Sequence, residues 1–145
     1  MNWEAVAIED LKKYKAMKEG LLNTAEKIKA LREKSIAIKN SSTSAVPVKG
    51  GGNRVEERLL DNIVERERLK YTYRANEHLV KIIERGLSGL SSDERFILDT
   101  FYINRCGNHI ERCIDKLHVE QSQVYRMKDK ALYKFTVSMY GIIDY

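Results

Sequence analysis

Residues 116–132, KLHVEQSQVYRMKDKAL, close one amphipathic stretch, break at His118–Glu120, and open a second stretch rich in Gln, Tyr, Arg and Lys. The spacing before and after the break decides the fold. Upstream, Ile110, Cys113, Ile114 and Leu117 recur at helical intervals; downstream, Val124, Met127, Ala131, Leu132 and Phe135 do the same. A helix of about ten residues, a three-residue turn and a longer helix is the layout of a helix-turn-helix. Ile110, Cys113, Ile114, Leu117, Val119, Val124 and Met127 would hold its two helices together. The first turn residue needs a left-handed backbone, and His118 belongs to the non-glycine types that tolerate one.

With Val124, Met127 and Ala131 inward, the opposite face of the second helix displays Gln121, Ser122, Tyr125 and Arg126, with Gln123 and Lys128 on its flanks. Gln pairs bidentately with adenine and Arg with guanine, and Ser meets several base edges. Lys128, Lys130 and Lys134 are placed to meet phosphates as such a helix leaves the groove, and Asn108, at the start of the preceding helix, is a further phosphate contact.

Outward from this unit, the chain reads as all-α. It has 145 residues, 32% of them charged, and one proline, Pro47. Residues 3–38 form one predicted helix with Asn2 as N-cap and a stripe of Ala7, Leu11, Tyr14, Leu21, Ala25 and Ile28, interrupted by Lys18. Residues 54–85 form a second, striped by Val55, Leu59, Leu69, Tyr73, Val80, Ile83 and Leu87, with Asn62, Arg66 and Asn76 as polar interruptions. Residues 39–53, whose Ser/Thr tract, Pro47 and three glycines break both patterns, read as a flexible linker. Two striped helices of similar length across such a link fold most simply into an antiparallel coiled-coil hairpin, an arm over 1–87. Gly86 and Gly89 are expected to stop the second helix, and Ser91 with Glu94 to form a capping box for a helix over 92–104. There Phe96, Ile97, Leu98 and Phe101 face inward, Gly107 ends the helix, and Asn108 caps the next. The helix-turn-helix domain is then 88–145, closed by a packed tail, GIIDY.

Charge and cysteine usage bound the function. The net charge is +5, but residues 90–145 carry eight cations and eight anions. Within 121–135, Arg126, Lys128, Lys130 and Lys134 face one anion, Asp129. No apolar run approaches a membrane span, and the N-terminus lacks a signal-peptide core. Cys106 and Cys113 read as reduced thiols of a cytoplasmic protein. The string Cys106, His109, Cys113, His118 invites a zinc reading, but Cys113 lies on an apolar stripe and known zinc modules pair their ligands more tightly. VKGGGNR lacks the Lys-Ser/Thr of a phosphate loop, and no nucleophile sits beside a base and an orienting carboxylate. Neither enzyme activity, metal nor cofactor is expected.

LSSDERFILDTFY followed by IERCIDKLHVEQSQVYRMKDKALYKF is similar to region four of bacterial sigma factors. Lys130, Ala131, Leu132 and Lys134 match that region's closing lysine-alanine-leucine-x-lysine signature. Nothing matches the promoter-melting sigma region. With the long N-terminal helix and the loop SSTSAVPVKGGG, the chain resembles phage and prophage late-transcription regulators of the ArpU, RinA and LtrC-like group. The resemblance implies binding of double-stranded DNA in a host bacterial cell and activation of packaging or lysis genes. It adds host RNA polymerase as a candidate partner, and the arm suggests a homodimer. His118 stands where the turn glycine is usual. Glu120 replaces a Ser or Thr cap, and a helix starting at Ser122 would move the contacts by one or two positions. Two rival readings are a polymerase- or sigma-docking factor that barely touches DNA, and a small DNA-packaging subunit assembled into rings.

Overall fold

The computed structural model describes residues 1–44 and 51–141, with side chains described for 1–41 and 54–141. Every regular element among them is helical: α1 (Trp3–Ser44), α2 (Gly51–Ser88), α3 (Ser92–Leu98), a π-helical turn (Asp99–Ile103), α4 (His109–Leu117) and α5 (Gln121–Tyr140). Contacts group residues 1–18 and 78–145 into one compact unit and residues 19–77 into another, whereas the sequence reading divided the chain by role at 87/88.

Both long helices exceed their expected bounds. The stretch read as a linker over 39–53 is helical at 39–44 and at 51–53, and its centre, 45–50, lies outside the described residues. The Ser41 hydroxyl donates to the Ile38 carbonyl at 3.1 Å, the back-bonding by which a serine inside a helix satisfies its hydroxyl. Asn2 caps α1 as expected, its Oδ1 accepting from the Ala5 N–H at 3.1 Å.

In the unit of residues 19–77, all the expected α2 stripe positions are half-buried or buried, the polar Asn62 and Arg66 included. On α1 the covered positions are Leu21, Thr24, Ile28, Leu31, Ser35 and Ile38; Ala25, expected on the stripe, is exposed and Thr24 takes the place. The Asn62 amide donates to the Leu31 carbonyl at 2.8 Å. Ala25 and Ile28 share a groove with Tyr73 and Arg74, whereas Leu31 and Ile38 share one with Arg58 and Asn62. Rising numbers on α1 therefore meet falling numbers on α2.

The other unit has a closed core. Ala7 and Leu11 of α1, Ile83 and Leu87 of α2, Ile97 and Leu98 of α3, Cys113 of α4, and Val124, Ala131, Leu132 and Phe135 of α5 are all essentially inaccessible. Each of the larger side chains contributes about 1.5–3 kcal/mol on burial. Gly86, expected to stop α2, lies inside it. A Cβ there would come within 3.0 Å of the Phe135 ring and 3.1 Å of the Met139 sulfur, so this glycine lets two helices approach closely. The helix ends instead at Ser88. Tyr140 donates to the Asp10 carboxylate and stacks at 5.0 Å on Trp3, tying the end of α5 to the start of α1. Burial and the Asp10 carboxylate push the Tyr140 phenol well above its ordinary range. The tail residues 142–145 lie outside the described residues.

Candidate nucleic-acid interface

The expected capping box is present. Glu94 N–H donates to Ser91 Oγ at 3.2 Å, and Ser91 N–H returns to Glu94 Oε1 at 3.1 Å. The other Glu94 oxygen meets Lys134 Nζ at 3.0 Å. Burial would raise the Glu94 pKa, but the Ser91 hydrogen bonds and the Lys134 charge outweigh it and hold the carboxyl below its ordinary value. Lys134, expected to face phosphate, instead fastens α5 to α3.

The helix expected over 92–104 changes pitch at its middle. From Asp99 to Ile103 it widens to a π turn, closed by the Asn104 N–H on the Asp99 carbonyl at 2.7 Å and by the Asn104 amide on the Asp99 carboxylate at 2.8 Å. The widened turn seats Phe101 among other rings. Its centroid lies 5.0 Å from His109, edge to face, and 6.2 Å from Tyr125. Lys128 Nζ sits 6.0 Å from both the Phe101 and Tyr125 centroids and 2.6 Å from Asp129. The Lys128 side chain retains only 19% of its exposure. Burial lowers its pKa, yet the Asp129 hydrogen bond and nearby negative groups leave the ammonium above its ordinary value. Lys128 is therefore a clamped charge over an aromatic pair.

Nothing in the spacing disclosed this cluster beyond the adjacent Phe101-Tyr102 and the three-residue step from Tyr125 to Lys128. The π turn carries no sequence signal of its own.

The turn between α4 and α5 has the expected backbone. His118 is left-handed at φ 55° and ψ 45°, and its N–H reaches the Ile114 carbonyl at 2.9 Å. Glu120 is extended and takes the N-cap position without a side-chain bond, so α5 starts at Gln121. Beneath the turn, Ile110, Ile114, Leu117, Val119 and Met127 pack on a core of Ile97, Phe101, Cys113 and Val124. That packing fixes which face of α5 is left outward.

Gln121, Ser122, Gln123, Tyr125, Arg126 and Lys130 are all exposed, spread round the outward half of α5 with Gln121 and Gln123 on its two flanks. Tyr125 stays 39% exposed, with its ring packed edge to face against Phe101. Asn108 and Gln121 border one open groove of about 260 Å³ with Gly107, His109 and Glu111, so the starts of α4 and α5 open on the same groove. Asn108 does not cap α4 with its side chain. Its Oδ1 takes the Cys106 thiol at 3.0 Å, which leaves the amide NH₂ as its outward donor.

The cysteines and histidines of the zinc-like string go separate ways. Cys113 is buried in the core, and burial raises its thiol pKa. Cys106 accepts from Arg112 at 3.3 Å, which holds its thiol below the ordinary value. His109 faces the Cys106 carbonyl at 3.2 Å and His118 lies exposed in the turn. Among the described residues, no group of three or more His, Cys, Asp or Glu could hold a metal ion, and no helix is long and apolar enough to cross a membrane.

No family model, curated protein or solved structure matches the chain.

Proposed function

We propose that this chain is a sequence-specific double-stranded DNA-binding regulator, with α4, the His118 turn and α5 as a helix-turn-helix and α1–α2 as a helical hairpin arm. The observation that carries the reading is the left-handed His118 followed by a helix whose first turns leave Gln121, Ser122, Gln123, Tyr125 and Arg126 outward together. A helix held at its back by Val124, Met127 and Ala131 can enter a major groove with those side chains leading. Asn108 and Lys130 supply phosphate donors on either side of the reading residues. The chemistry is binding, with no covalent step. The resemblance to phage late-transcription regulators extends this to activation of packaging or lysis genes alongside host RNA polymerase.

One observation favours a second reading. Of the four cations on the helix, Lys128 is paired with Asp129 and Lys134 with Glu94, leaving Arg126 and Lys130 as the outward charges. Two outward cations give a weak electrostatic hold on DNA, and a polymerase- or sigma-docking role would then use the same face against protein.

Selection of sites from sheared phage and host genomic DNA, then anisotropy titration at several salt concentrations, separates the two. A discrete site, whose affinity falls by about 1–3 kcal/mol in a folded Arg126→Ala variant, is the expected result. Only weak, salt-sensitive fragments, with affinity indifferent to Arg126, would sink the recognition-helix assignment and leave the docking role.

A further inference from the structure

The unit of residues 19–77 carries an apolar face that α1 does not cover. On α2, Leu60 is 60% exposed, Ile63 46%, Val64 59% and Tyr71 78%. At 3.6 residues per turn these four fall within an arc of about 100°, on the side away from the Asn62, Arg66, Leu69 and Tyr73 stripe. Scattered exposed aliphatics need no explanation, but four aligned on one helix face do.

The charges around the patch say what covers it. Within about 90° of the patch centre, its N-terminal side carries the exposed acids Glu56, Glu57 and Asp61 and its C-terminal side the exposed bases Arg68 and Arg74, whereas the exposed Arg54, Arg58 and Glu65 lie further round the helix. Glu67, which lies on the same arc, is engaged by Lys70 at 3.2 Å. Apart from the Glu67–Lys70 pair, the face is acidic at one end, apolar at Leu60, Ile63, Val64 and Tyr71, and basic at the other, and it complements itself when a copy is turned end for end. Paired parallel, acid would lie on acid.

We infer that this face of α2 binds the same face of a second copy of this chain, antiparallel, about a twofold axis near residues 64–67. Glu57 then lies level with Arg74 of the partner copy, and Leu60 level with its Tyr71. An isologous contact uses every residue twice, so four apolar side chains become eight in one seam. Charged residues flanking such a seam set partner and orientation. The inference gives the homodimer that the arm suggests a face and an orientation, and it stands apart from the DNA-binding reading because it is read without DNA.

Sedimentation equilibrium of the full chain, free of DNA, tests it. The expected mass is twice the 16.8 kDa of one chain. Leu60→Glu combined with Val64→Glu should give a monomer of unchanged helicity, since both positions are exposed. Glu57→Arg alone should weaken association several-fold, and adding Arg74→Glu should restore it. A spin label at position 57 should lie about 25 Å from its copy, the rise of 17 residues, against close contact in a parallel pair. A wild-type chain that stays monomeric at 100 μM (on the order of the weakest useful self-affinity) overturns the inference, as does a dimer indifferent to Leu60 and Val64. A charge swap that fails to rescue, or two labels in close contact, overturns the antiparallel arrangement.

Discussion

The two compact units solve the same problem, burying helical stripes, with different success. In the unit formed by residues 1–18 and 78–145, successive helices close over one another and leave side chains such as Leu11, Leu98, Leu132 and Phe135 at zero exposure. In the unit of residues 19–77, Leu21, Ile28, Leu31, Leu59, Leu69 and Tyr73 are only half-buried, and the well-covered positions include the polar Ser35 and Asn62. Two helices make one seam and cannot surround a side chain, whereas five helical segments can. The first unit is therefore held in a fixed geometry. The second has one seam and leaves more of its apolar side chains exposed.

The largest expected break in this contrast comes from Phe135→Ala. It should cost about 3–5 kcal/mol in the closed unit, measured by chemical denaturation, whereas Leu69→Ala in the open seam should cost markedly less. Equal losses would mean the two units are equally packed. Gly86→Val comes next, at about 1–3 kcal/mol, because its side chain must displace the Phe135 ring and Met139. Asn62→Leu should move in the other direction. The buried amide oxygen of Asn62 finds no hydrogen-bond partner, and its removal should stabilise by about 1 kcal/mol. A lower melting temperature in that variant would show the Asn62 bond to Leu31 outweighing the orphaned oxygen.

The smaller effects sharpen the account of the closed unit. Lys130→Ala should reduce the salt slope of DNA binding by about one, while Lys128→Ala should leave that slope unchanged and lower the melting temperature. Equal slopes for the two variants would return Lys128 to the phosphate contacts. The smallest effect concerns Glu94. Its folded pKa lies below the ordinary 4.5, so the stability it contributes is present above that value and lost as pH falls through the depressed one. Glu94→Gln should flatten the acid limb of the unfolding curve below about pH 4.5, and an unchanged limb would dissociate Glu94 from it.

Local chemistry was legible in the sequence where one segment determines it. Asn2, the Ser91–Glu94 box and the left-handed His118 follow from residue type and spacing, whereas the poor cap Glu120 left the start of α5 open between Gln121 and Ser122. What eluded the reading depends on residues far away in the chain. Gly86 looked like a stop, yet Phe135 and Met139 occupy the space its missing side chain leaves. Lys134 looked like a phosphate contact until Glu94, forty residues earlier in sequence, claimed it. Lys128 is held by Phe101, which only the π turn brings within reach. Composition argued for a break over 39–53, yet its described ends, 39–44 and 51–53, are helical.

The π turn at Asp99–Ile103 has one more consequence. It holds one residue more than an α-helical path would, so the chain carries a spare position there. A single-residue deletion inside this turn can be absorbed by reverting to α pitch, with the rest of α3 and the start of α4 kept in place. The same deletion inside α5 would rotate every later buried position by about 100°. Melting both deletion variants side by side should show the first folded and the second not. Length variation would then be tolerated beside the aromatic cluster and refused along α5.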